Sequence, residues 1–173
     1  SVSPSIINSW KLYQKRVSTN WRESESYDFI QAYRLYTLAL AGEPNMSAMN
    51  RLRSYKKLSV SAKYRLAAAY ALIGQKKVAL ELINKLSYEP PTNRNYWRYN
   101  YGSVTRDQAM IMETFLLLDE VDKAIPLFNQ VTESLKSERW MSTQTTAYSL
   151  YSVSLFVDEG DSDKDYRFQY EWN

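Results

Sequence analysis

Apolar residues fall into one recurring pattern along this chain. Ala32–Ser54, Lys63–Leu86 and Arg106–Val131 each place a largely apolar run before a tight turn and a shorter amphipathic run after it. The turns fall at Gly42, Gly74 and Asp119. Apolar positions that recur at three and four predict helices, so each stretch reads as a helical hairpin. Hairpins in series bury their faces against one another. The chain is therefore predicted to be all-α, a layered array of helix pairs suited to a scaffold.

The flanking residues extend the pattern. Ser3-Pro4 starts a first helix, with serine as cap and proline at the first helical position. Ile6, Ile7, Trp10, Tyr13 and Val17 form a one-sided stripe that fades near Asn20, and Trp21–Ser26 reads as a polar connector anchored by its tryptophan. A second helix is predicted over Tyr27–Ala41, apolar nearly all round after Ala32, with Met46–Tyr55 returning behind Met49 and Leu52. Val60–Ile73 carries Ala67, Ala68, Ala69 and Ala71, small enough for neighbouring helices to approach closely. Lys77–Leu86 returns with Val78, Leu82 and Leu86 on one face.

Ser87–Ser103 is the one long irregular segment, broken by Pro90-Pro91. Thr105 and Gln108 have capping-box spacing, and Asp119–Asp122 is placed to cap the helix that follows. Pro126 inside that helix predicts a kink or a later start. The last helix is predicted from Ser142 or Thr143 to about Val157, its first turn capped by the hydroxyls and amide of Ser142–Thr146 and its entry angle fixed by a packed Trp140. Beyond it the chain is acidic, and Tyr166–Trp172 alternates in the manner of a short C-terminal β-strand. This gives a helical body over 1–157 and, over 158–173, an acidic linker with the start of a following β segment.

At 173 residues, 45% of them apolar, the chain makes one domain or a large piece of one. The sequence opens on Ser1 within helix-forming residues, and we read it as a piece of a longer protein. It has no cysteine and no histidine. Disulfides, thiolate metal sites, thiol nucleophiles and imidazole bases are thereby excluded within it. A net charge of +3 gives no footprint for nucleic acid, and the basic cluster Arg51, Arg53, Lys56, Lys57, Lys63 and Arg65 reads as a solvated helix end. The longest nearly apolar run, Leu66–Gly74, is too short to span a bilayer, so no direct membrane contact is expected.

Candidate chemistry is thin. Asp161, Asp163 and Asp165 have the spacing of a calcium loop, but Tyr166 and Trp172 stand where its glycine and bidentate acid belong, so an acidic linker is preferred. The aromatics of Tyr88–Tyr101, with Arg94 and Arg98, have the composition to stack sugars or bases, though packing is the preferred reading. Glu113 falls among core positions, either as an acid of raised pKa or as the ion-pair partner of Arg65 or Arg106, and the ion pair is preferred. No nucleophile motif surrounds Ser142–Thr146. No catalytic, cofactor-binding or metal-ligating residue is predicted.

One segment has a specific look. Arg139-Trp140-Met141-Ser142-Thr143-Gln144-Thr145-Thr146-Ala147-Tyr148 resembles a signature of the alpha-2-macroglobulin family, a Trp-x-Ser-Thr-Gln-x-Thr-Ala element that opens a late helix of the thioester domain. Gln31-Ala32-Tyr33, Leu38–Gly42, Met49–Leu52, Arg65–Tyr70, Tyr101-Gly102-Ser103 and Arg106-Asp107 agree in order with the bacterial branch. The resemblance covers nearly the whole chain to about Phe156. It implies an α/α toroid of inner and outer helices, of which this chain is about the second half. It also implies a structural, non-enzymatic part of an endopeptidase inhibitor that traps proteases after bait cleavage. Implied partners are the other domains of the parent chain and, through the full-length protein, target proteases. The implied location is the periplasm or the cell envelope. The family's Cys-x-x-Gln thioester motif is not in this chain. Two rivals stand beside this reading. One is a TPR-like scaffold with a concave peptide groove. The other is a carbohydrate-active α/α toroid enzyme, with Glu113 and Asp107 as its carboxylates.

Overall fold

The computed structural model describes residues 2–23, 27–87 and 102–160, with the side chains of 159–160 left aside. Among them are eight helices and no strand: α1 (Pro4–Thr19), α2 (Asp28–Leu40), α3 (Met46–Ser54), α4 (Val60–Leu72), α5 (Lys76–Ile83), α6 (Val104–Leu117), α7 (Val121–Lys136) and α8 (Thr143–Gly160). The all-α class is as expected. The aromatic segment Tyr88–Tyr101, the acidic run from Asp161 and the strand expected over Tyr166–Trp172 lie outside the described residues.

α2, α4, α6 and α8 form a row, each packing on the next. α3 packs on α2 and α4, α5 on α4, α7 on α6 and α8, and α1 on α2 and α3. The row follows from composition. α4 buries Ala62 and the run Leu66–Tyr70, because alanines let α2 and α6 press in from either side. Ala32, Leu35 and Leu38 of α2 and Met110, Ile111 and Met112 of α6 close that core. A smaller cluster around Met112, Leu116 and Ala124 joins α6 to α7, and there Phe128 stacks on Phe156 of α8 at 4.4 Å.

Local chemistry sets the ends. Gly42 and Gly74 stop α2 and α4 at φ +71° and +78°, and Asp119 does the same for α6 at φ 60°. Asn45, Ser59, Ser103 and Ser142 accept hydrogen bonds from backbone N–H groups three residues on. Several expectations need correction. Ser103, not Thr105, caps α6, so the Thr105/Gln108 spacing is not a capping box. α7 has Glu120 at its cap with no side-chain hydrogen bond, and Asp122 sits within the first turn. The helix neither starts late nor breaks at Pro126, because packing on α6 and α8 holds it. α5 ends at Ile83, since Lys85 turns left-handed at φ 60°. Ser3 bonds Ser5 rather than a backbone N–H. α8 continues to Gly160. Most of the α1 stripe does not pack: Ile6, Ile7, Trp10 and Tyr13 are exposed, and Val17 is half-buried. Trp21 does anchor its connector, edge-on to Tyr55 with Arg51 over its ring.

Candidate functional site

The polar chemistry of the α2–α4–α6–α8 row gathers at two buried joints. The first is centred on Arg65 of α4, delivered into the core between alanines. Its Nη1 donates to Glu113 of α6 at 2.8 Å, with the two side chains 0% and 2% exposed. Tyr36 of α2 donates its hydroxyl to the other Glu113 oxygen. The Arg65 guanidinium lies 4.3 Å from the Tyr36 ring centre and 5.8 Å from that of Tyr148 on α8. Among the described residues its Nε and Nη2 meet no oxygen acceptor, and the tyrosine rings flank the guanidinium. Tyr148 donates to the Tyr33 hydroxyl at 2.5 Å, tying α8 to α2.

The electrostatics follow from burial. Burial opposes the Arg65 charge, but Glu113 and the phenol oxygens of Tyr36 and Tyr148 outweigh it and hold the guanidinium above its ordinary value. Tyr36 is pushed well above an ordinary phenol by burial and then by the Glu113 carboxylate. Tyr148 is pushed the same way by burial and by its bond to Tyr33. Glu113 is thus the ion-pair partner of Arg65, one of the two partners expected. The basic cluster is correspondingly dispersed: Arg65 is buried, Arg53 pairs with Glu81 at 3.0 Å, and Arg51 donates to the Thr19 carbonyl.

The second joint lies where α6 and α8 begin. Arg106 donates to Asp107 Oδ1 from Nε at 3.1 Å and from Nη2 at 2.6 Å, and to Gln144 Oε1 from Nη1 at 3.1 Å. Ser61 of α4 donates to Asp107 Oδ2 at 3.2 Å. Ser103 and Thr145 share a hydrogen bond of 2.9 Å, and the Arg106 guanidinium lies 4.9 Å from the Phe29 ring centre. Glu113 and Asp107 are each 1% exposed and each held by an arginine, so neither carboxylate offers a face to a substrate.

Two openings flank the joints. A groove of about 300 Å³ between α2 and α8 is lined by Tyr33, Tyr36, Leu40, Tyr148 and Tyr151. A wider cleft of about 640 Å³ lies outside the second joint, beside Trp140. Trp140 is 88% exposed, which corrects the expectation that it packs beside α8. The staple position is the residue directly before the Ser142 cap. That residue is Met141, which is half-buried. Among the described residues no three acidic side chains are grouped to hold a metal, and no helix is long and apolar enough to cross a membrane. No protein-family model, no curated protein and no solved structure matches the chain. The sequence signalled Glu113, Arg65 and Arg106, but Tyr36, Tyr33 and Tyr148 carried no local signal.

Proposed function

We propose that this chain is a two-layered helical arc from the ring domain of an alpha-2-macroglobulin-like protease trap, and that its part there is structural. One observation carries the reading. Residues from separate, weakly specific pieces of the resemblance meet in space. Ser103 bonds Thr145, Arg106 bonds Gln144, and Tyr33 bonds Tyr148. Pieces that agreed only in sequence order thereby have a common physical purpose, the joining of α2 and α6 to α8.

A bridge between the first and last helices of the row supports an arc over an open superhelical stack. α2 and α8 do not pack along their lengths, yet Tyr33 and Tyr148 join them through their hydroxyls, the rings edge-on with centres 6.2 Å apart. The exposed Trp140 runs against this reading, because the tryptophan of the resembling segment is expected to pack beside α8.

The test uses the intact parent polypeptide. It is incubated with proteases of differing specificity and followed by small-angle scattering and by retention of the protease on native gels. Cleavage at one segment, followed by compaction and retention, is the expected result. Cleavage with neither change, for every protease tried, overturns the proposal.

A further inference from the structure

The wide cleft beside Trp140 has the Ser103–Thr145 and Thr105–Ser134 hydrogen bonds in its floor, and its rim residues Glu133, Ser137, Arg139 and Trp140 take no part in joining the helices. Trp140 is the most exposed large apolar side chain among the described residues, at 88%. Leaving a whole indole in water gives up a large burial gain. A cleft of about 640 Å³ is within the range of small-molecule sites.

The walls opposite the indole are polar, with acceptors in excess. Ser134 donates its proton to the Gln130 carbonyl at 3.0 Å, and Ser137 donates to the Ser134 carbonyl at 2.7 Å. Thr105 in turn donates to Ser134 at 3.4 Å. The serine protons are engaged, and oxygen lone pairs remain for donors from outside. Glu133 pairs with Lys136 at 3.0 Å, with both side chains 72% exposed, so it too can accept. Arg139, exposed at the rim, supplies donors.

A fitting ligand has one flat apolar face and a rim of hydroxyls. A pyranose has that form. A proline-rich peptide needs a row of aromatic ridges, and only one ring is present. The geometry points to a saccharide site in which a pyranose stacks its C–H face on Trp140. Its hydroxyls donate to Glu133, Ser134 and Ser137 and accept from Arg139. This inference is independent of the protease-trap reading.

The full chain is titrated with maltotriose, cellotriose, mannotriose and triacetylchitotriose, following the indole N–H resonances by NMR. Saturable movement of the Trp140 resonance with at least one sugar is expected. W140A should weaken binding by at least about tenfold. W140F should retain part of it, and E133Q and R139A should each weaken it. Thermal unfolding should be unchanged in all four variants, because these side chains lie at the surface. A second arm compares a glycoprotein with its deglycosylated form, and separates glycan on a protein from free oligosaccharide as the source. No saturable response to any sugar or glycoprotein overturns the inference. So does binding that survives W140A, or a response to the deglycosylated protein alone, which would make Trp140 a protein contact.

Discussion

Arg65 and Glu113 show how one pair of residues ties α4 to α6. An arginine with no exposed side-chain surface survives only because a carboxylate and two aromatic faces stand around it. E113A strands that charge and should cost about 3–5 kcal/mol in urea unfolding. The double variant R65M/E113L removes both charges and should recover most of the loss. The tyrosines add a pH dependence. Tyr36 and Tyr148 keep their protons in the folded state well above the ordinary phenol value of about 10. Below about pH 10 both states hold the proton, and above it only the unfolded chain releases it. Stability should therefore fall as pH rises beyond about 10, by up to about 1.4 kcal/mol per pH unit for each such tyrosine. Urea midpoints measured from about pH 9 upward should show this fall, and Y148F should make it shallower by one proton. A buried acid among core positions was legible from the sequence, since it demands a cation. Its second partner was not, because Tyr36 lies 77 residues away and one tyrosine among fifteen carries no mark.

The hairpins were legible as elements because turn chemistry and helical period agree at each. Gly42 and Gly74 take the positive φ that a left-handed stop requires. An added Cβ at Gly74 meets nothing within 4 Å, so the cost of G74A is conformational alone, about 1–2 kcal/mol. Lys85 adopts φ 60° with a side chain attached, and K85G should stabilise by up to about 1 kcal/mol. The pair separates backbone strain from packing, and thermal melts of both variants suffice to check it. Expectation failed where packing overrode local rules. Pro126 cannot donate to the carbonyl four residues back, yet α7 continues through it because it packs on α6 and α8. P126A restores that bond and should stabilise the chain by about 1–3 kcal/mol. The cap of α6 was missed by two residues, because Ser103 and Thr105 are both good caps by type. Ser103 also bonds Thr145 on α8, a tertiary contact with no local signature.

At the scale of the whole molecule, the first end of the helical row differs from its middle. The middle is sealed by α4 and the arginine joints. At the first end, the anchors of α1 lie from its middle onward, beginning with the pairing of Lys11 and Lys15 to Glu43. Gln31 donates to the Ser18 carbonyl at 2.9 Å, Arg34 to Gln14 at 2.9 Å, and Asn45 to the Ser18 hydroxyl at 2.9 Å. Its first turns present Ile6, Leu12 and Tyr13, at 61%, 70% and 54% exposure, to solvent. Such a face contributes little to folding and promotes association. Amides in the first half of α1 should therefore exchange with solvent faster than those near Ser18, which hydrogen-exchange mass spectrometry would resolve. I6K/L12E should leave unfolding free energy within about 0.5 kcal/mol of the parent chain. The same variant should abolish any concentration-dependent association seen by sedimentation. A large loss of stability in I6K/L12E would mean that these side chains do pack in solution, and that α1 is a full member of the helical layers rather than a helix held from its middle onward.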